Sequence, residues 1–137
     1  MAGNKGTYLE DALLNWVKGT AFPAAPANLY VALYTATPTD AGASGTEVTG
    51  GSYARIAIAS SGWSAISNGA NGDQVSNAGV VTFATPTLTW GTVGWFALYD
   101  AVTVGNEVYW NALTVSKTIN SGDTVSFAIG ALVIAED

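Results

Sequence analysis

Two glutamates in matching settings are the residues whose type and spacing could best support chemistry. Glu47 and Glu107 each occur in a Gly-x-Glu-Val sequence, 60 positions apart. Two carboxyl groups about 5 to 10 Å apart across a cleft are what glycosidases use to cleave sugar linkages. The chain offers no electrophilic partner and no basic cluster to complete such a site. We therefore expect both glutamates to be solvated turn or edge-strand residues, and the protein not to be an enzyme.

Other kinds of active site are excluded by residue types that the sequence lacks. It contains no His and no Cys, which removes imidazole bases, thiolate nucleophiles, disulfides and the usual zinc, haem and iron–sulfur ligands. A serine nucleophile would need a lysine base, and no Ser-x-x-Lys occurs. The Asn- and Asp-bearing segment 68–73 lacks the closing glutamate of a calcium loop and favours a hairpin turn. We expect no cofactor and no metal.

The composition indicates contacts with other proteins. Of 137 residues, 49% are hydrophobic and 10% charged, against roughly 25% charged in typical soluble domains. Much of the exterior is therefore predicted to meet copies of the chain or a larger assembly. A compact monomer with a Ser-, Thr-, Asn- and Gly-rich surface is the alternative. The net charge of −6, with four scattered basic residues, argues against nucleic acid. No run approaches the ~20 apolar residues that would span a membrane.

One amphipathic helix is predicted over residues 7–18. Its apolar residues recur at spacings of three and four and should line one buried stripe; they are Leu9, Ala12, Leu13, Trp16 and Val17. Thr7 and Glu10 have the spacing of a capping box at the helix start, and Gly19 should end the helix. Residues 1–6 would form an N-terminal arm.

Short alternating segments predict strands through the rest of the chain. They lie at 28–35, 53–58, 63–67, 80–85, 95–100, 108–110 and 125–129, and residues 36–51 should be a long exposed loop. The first of these strands is apolar on both faces and should be buried on both. The predicted fold is mainly β, a single jelly-roll-like β-sandwich over 7–137 that begins with the helix.

A weak internal repeat relates the two halves. Residues 31–36 followed by Gly-Thr-Glu-Val match 96–101 followed by Gly-Asn-Glu-Val. If the match is more than coincidence, the two Ala-Leu-Tyr strands should take related positions in two sheets.

The aromatic residues divide into two predicted roles. Four tryptophans alternate with aliphatic residues and should pack in the core: Trp16, Trp90, Trp95 and Trp110. Three tyrosines are better candidates for a surface or subunit contact, because a phenol can pack and still form hydrogen bonds; they are Tyr30, Tyr34 and Tyr53. Sugar binding by exposed rings is the alternative.

The chain also resembles a known class of proteins. The segments NLYVALYTATPTDAGASGTEVTGGSYAR and NALTVSKTINSGDTVSF are similar to small virion proteins of tailed bacteriophages, either capsid cement (decoration) proteins or tail fibre proteins. The similarity spans about residues 28–134 and includes no catalytic motif. A fibre usually shows a shaft repeat or a coiled-coil heptad, and neither is present, which favours capsid cement.

The resemblance implies a virion structural protein, made in the host cytoplasm and placed on the capsid surface. It would bind the major capsid protein and itself, as a dimer or trimer, and stabilise the lattice by multivalent contacts. The alternative is a tail fibre or baseplate component, with host-surface glycan binding as a further option.

The hypothesis assigns docking to segments that lack a core pattern. These are residues 2–6, with Gly3, Asn4 and Lys5, and the loop 37–51, with Thr37, Asp40 and Glu47. Arg55 is the one charge in an apolar, strand-like setting and is predicted to pair with Glu47; an edge position facing solvent is the alternative.

Overall fold

Antiparallel strands make up most of the computed structural model, which describes residues 4–41 and 44–136. The described part contains one α-helix, α1 (Thr7–Val17), one 3₁₀ turn (Ser60–Gly62) and eleven strands. The strands are β1 (Asn4–Lys5), β2 (Asn28–Ala36), β3 (Thr46–Glu47), β4 (Ile56–Ala59), β5 (Ser67–Gly69), β6 (Gly72–Ser76), β7 (Val81–Thr82), β8 (Gly91–Tyr99), β9 (Glu107–Ile119), β10 (Ser126–Phe127) and β11 (Val133–Glu136).

The largest sheet has the order β1-β9-β8-β2-β3, with β4 also paired to β2. Its centre is the β2–β8 pair, in which Leu33 lies opposite Phe96 and Ala32 opposite Ala97. Because side chains alternate along a strand, Leu33 and Phe96 face one side while the two alanines face the other. All four are buried, so the centre of the sheet is covered on both faces, as predicted for residues 28–35.

The main core lies on the Leu33 and Phe96 side of this sheet. Side chains from the two smaller sheets, β11-β6-β5 and β10-β7, pack there, with Leu132 and Phe96 almost fully buried. The predicted class, a mainly β domain of sandwich type with one helix, is confirmed. On the opposite face Tyr34 and Tyr99 form a second, smaller cluster against which Trp95 and Trp110 pack.

The internal repeat corresponds to a local two-fold relation between two strands of the same sheet. The two Ala-Leu-Tyr strands are β2 and β8, which are neighbours, so the prediction of two sheets is wrong. Each strand then pairs a tyrosine with the glutamate of its own half, Tyr34 opposite Glu47 and Tyr99 opposite Glu107. Two similar extended segments can satisfy each other's backbone by pairing antiparallel, which the repeat alone did not reveal.

The helix forms where it was predicted, but its N-terminus is not stabilised by the predicted capping box. Gly6 is the N-cap and no side chain caps the helix, so the capping box is wrong. Thr7 is already helical, and its N–H donates to the backbone carbonyl of Asp40. A Cβ on Gly6 would lie 2.2 Å from the Glu107 carbonyl oxygen, so only glycine fits this close approach. Gly19 follows the helix with a φ of +88°, as expected of a terminating glycine.

Several elements were not predicted. They are β1, β3, β5, β6, β11, the first half of β8 and the part of β9 after residue 110. The predicted strand 63–67 does not form: Trp63 makes only an isolated bridge with Asn77, and Ser67 begins β5. The 36–51 loop contains β3 and the buried residues Pro38 and Val48, so it is partly packed. Several of these strands pair with segments distant in sequence, as β1 does with β9 and β11 with β6, so local pattern could not identify them.

Val104 adopts a backbone conformation that a β-branched residue rarely takes, with φ +56°. It lies beside Gly105, φ +74°, in the turn between β8 and β9, and its carbonyl accepts a hydrogen bond from Arg55. Asparagine tolerates the left-handed region far better than valine. Val104→Asn should therefore raise the free energy of unfolding by about 1 kcal/mol and the melting temperature by roughly 2–6 °C. Differential scanning calorimetry measures both, and Val102→Asn, an exposed neighbour for which no positive φ occurs, should not show the gain.

Candidate functional site

Arg55 is the centre of a polar cluster on the outer face of the large sheet. Its Nε and Nη2 donate to the two carboxylate oxygens of Glu47, each at 2.8 Å, which confirms the predicted pair. Its Nη1 donates to the carbonyls of Ala101 (3.0 Å) and Val104 (2.8 Å). The guanidinium carbon lies 3.7 Å from the centroid of the Tyr99 ring. The cluster therefore ties the segment after β3 to the β8–β9 turn, and we call it the Arg55 brace.

Two tyrosines predicted to be at the surface instead pack in the interior. Tyr34 is only 4% exposed, and its hydroxyl lies 2.6 Å from that of Tyr99, so its surface assignment is wrong. Tyr53 is half-buried, donates to Glu47 Oε1 and accepts from the Leu33 N–H, both at 2.9 Å. Burial is the main cause that raises the pKa of both Tyr34 and Tyr53. Alternation placed Tyr34 with Tyr30 on one face of β2 but could not show that this face is covered, and Tyr53 packs against the main core on the other side of the sheet.

The other predicted contact residues have mixed environments. Gly3 lies outside the described residues, while Asn4 and Thr37 are exposed and Tyr30 is half-buried. Lys5 Nζ lies 2.6 Å from Glu136 Oε2. Among the described residues, the Glu47 carboxylate is hydrogen-bonded to Arg55 and Tyr53 and not to Asn4, Lys5, Tyr30 or Thr37. Their role in protein contact stays a prediction.

A polar cavity of about 330 Å³ lies where α1 begins. It is lined by Thr7, Tyr8, Asp40, Ala41, Tyr99, Gly105, Asn106 and Glu107. Glu107 is 4% exposed, so its assignment as a solvated residue is wrong. Its Oε2 accepts from the Tyr99 hydroxyl at 3.3 Å, whereas its Oε1 accepts from none of the described residues. Burial, reinforced by nearby Asp40, raises the pKa of Glu107 to about 7.

An apolar surface runs along α1 and the segment after it. Trp16 is 62% exposed and Val17 75%, and Leu13, Leu14 and Phe22 are exposed as well. Ala12 is the buried residue of this helix. The expectation that the whole stripe, including Trp16, packs into the core is therefore wrong. Trp90 is buried as predicted, while Trp95 and Trp110 are half-buried on the outer face.

A second, larger cavity of about 520 Å³ opens beside β9. Its floor includes Leu33 and Phe96 from the core, and its rim includes Val115, which is largely exposed. Across 4–41 and 44–136, no group of three acidic residues is arranged to hold a metal ion. The helix found in that same part of the chain is too short and too polar to cross a membrane.

Comparison with protein families gives a match over most of the chain. A family model described as "Podophage GP4 fiber I protein gp80" matches residues 4–135. No curated protein matches the chain. The matched region includes the Arg55 brace, the Glu107 cavity and the exposed face of α1.

Proposed function

The chain belongs to the podophage GP4 fiber I family, gp80, and on this basis we propose that it is a non-enzymatic structural component of a tail fibre. The family is one of phage fibre structural proteins, in agreement with the resemblance seen in the sequence. It supports the tail fibre alternative and gives no support to the capsid cement interpretation. The lack of a shaft repeat does not argue against this proposal, because a fibre can also include globular modules.

The exposed apolar face of α1 is the observation that supports a second part of the proposal, the contact between subunits. Leu14, Trp16 and Val17 lie on a surface helix, while the β-domain has its own hydrophobic core to which these side chains do not belong. Fully burying such a side chain contributes about 1.5–3 kcal/mol. We propose that a second copy of the chain covers this face, because a fibre is built from repeated subunits and a helix presents the same stripe in every copy.

The location of the protein in the virion tests the fibre assignment. Antibodies against the purified protein, labelled with gold and applied to intact virions, should mark the tail fibres in electron micrographs. Virions of a phage from whose genome the gene has been deleted by recombination should show no label. Labelling distributed over the head would contradict the fibre assignment and support capsid cement.

The role of α1 is tested by removing two exposed apolar side chains. Leu14→Gln together with Val17→Gln should weaken self-association by at least about 100-fold, since two buried side chains contribute about 3 kcal/mol. Sedimentation equilibrium measures the association, and the melting temperature of the monomer should stay within a few degrees of the original. Ile66→Gln, which alters an equally exposed apolar residue elsewhere, is the control. A parent chain that is monomeric at high micromolar concentration would contradict self-association through α1.

A further inference from the structure

The local two-fold relation places Glu47 and Glu107 in equivalent positions, but their surroundings differ. Each glutamate lies opposite the tyrosine of its own half, Tyr34 or Tyr99. The carboxylate of Glu47 receives its hydrogen bonds from side chains of the same chain: Arg55 donates to both oxygens and Tyr53 donates to one. Glu107 receives one hydrogen bond, from Tyr99. The second half of the chain thus contains a glutamate, Glu107, equivalent to Glu47, but no arginine of the described residues binds it as Arg55 binds Glu47.

The Glu107 side chain forms part of the wall of the polar cavity. Its Oε1 has almost no accessible surface and accepts no hydrogen bond from the described residues. A buried carboxylate oxygen left in this condition is costly, so a rotation of the carboxyl group that presents this oxygen to a donor in the cavity is favoured. Asp40 adds a second carboxyl group at the exposed side. Neither lysine nor arginine is among the described lining residues.

We propose that this cavity binds a guanidinium or alkylammonium group, with Glu107 as its buried anionic partner and Asp40 as the outer one. A guanidinium can bind a carboxylate through two parallel N–H donors, as Arg55 does at Glu47. The cavity, at about 330 Å³, exceeds the roughly 30 Å³ of one water molecule and accommodates an organic group. Calcium is a poorer match because it takes about 6–8 oxygen ligands. This inference does not depend on the tail fibre assignment or on α1.

Binding should depend on pH because the neutral carboxyl group must lose its proton to pair with a cation. The titratable side chains around Glu107 are Tyr8 on α1, Asp40 before β3, Tyr99 on β8 and Tyr34 on β2, with Arg55 against the Tyr99 ring. With the pKa of Glu107 at about 7, about one tenth of the sites are ionised at pH 6 and about nine tenths at pH 8. Affinity should therefore rise about tenfold over this interval, and binding near pH 7 should release protons.

Isothermal titration calorimetry of the full chain tests the proposal with N-methylguanidinium, n-butylammonium and N-methylurea. The first two should bind, and the dissociation constant should be about tenfold lower at pH 8 than at pH 6. N-methylurea has nearly the shape of methylguanidinium without the charge and should bind at least tenfold more weakly. Calcium chloride is titrated in parallel. Failure of the two cations to bind more tightly than N-methylurea, or tighter binding by calcium, would overturn the proposal.

Glu107→Gln separates this site from nonspecific attraction to an acidic protein. The variant keeps the shape of the side chain and should fold, because a neutral group already fits there; its circular dichroism melt verifies this. It should lose at least tenfold in affinity and all of the pH dependence, whereas Glu10→Gln, which removes an exposed charge from α1, should bind as the parent does. Equal binding by Glu107→Gln would refute the site.

The same assay distinguishes two sources of the cation. A short peptide amide containing one arginine represents a side chain from a neighbouring protein, and N-methylguanidinium represents a free small molecule. Tighter binding of the peptide would support the proposal with a protein side chain as the natural ligand. Equal affinities would support it with a small molecule.

Discussion

Replacing Arg55 with methionine should lower the free energy of unfolding by about 3–5 kcal/mol, as expected when one partner of a buried ion pair is removed. The Arg55 side chain is 7% exposed and that of Glu47 24%. The substitution keeps the aliphatic part of the side chain but leaves the Glu47 carboxylate with the Tyr53 hydroxyl as its remaining donor, and two backbone carbonyls lose the donor that Arg55 supplies. It also removes the contact with the Tyr99 ring. Urea unfolding followed by tryptophan fluorescence measures the loss.

Two control variants show whether burial causes this effect. Lys5→Met breaks the more exposed pair with Glu136 and should cost no more than about 1 kcal/mol. Adding Glu47→Leu to Arg55→Met should recover part of the loss, because an apolar pair is cheaper to bury than one uncompensated charge. If Arg55→Met cost no more than Lys5→Met, the brace would contribute little to stability.

Asn77→Ala should destabilise the protein by about 3 kcal/mol, through the loss of three buried hydrogen bonds and the groups left unpaired. Asn77 is 1% exposed and follows β6. Its Nδ2 donates to the carbonyls of Gly79 (2.8 Å) and Ala128 (2.9 Å), while its Oδ1 accepts from the Leu132 N–H at 2.9 Å. This one side chain therefore joins the loop after β6 to the segment that leads into β11.

Hydrogen exchange gives a local readout of the same change. In Asn77→Ala the Leu132 amide should exchange faster than the loss of global stability alone explains, since its acceptor is gone. Asn68→Ala, in the exposed β5–β6 hairpin with one long 3.5 Å contact to Asp73, should change stability by no more than about 0.5 kcal/mol. Unchanged protection of Leu132 would mean that its N–H finds another acceptor.

Local sequence pattern predicted those features that depend on a single strand or a single short segment. Alternation identified β2 and the second half of β8, and the apolar spacing identified α1. The lone charge of Arg55 in an apolar setting was sufficient to suggest its pairing with Glu47, because such a charge needs a nearby partner. Asn77 carried no comparable signal, since asparagine is common in loops and its three partners come from 79, 128 and 132.

The sequence by itself determined the β class, the one helix and the virion setting, because periodicity and residue similarity are properties of the chain read in order. Only the tertiary structure decided which faces are covered. Trp16 is exposed to solvent and Tyr34 is buried. Glu107 is buried beside a cavity, whereas its counterpart Glu47 forms an ion pair with Arg55. Those outcomes depend on which distant segments pack together, and a period of two or of 3.6 residues is the same whether or not a face is covered.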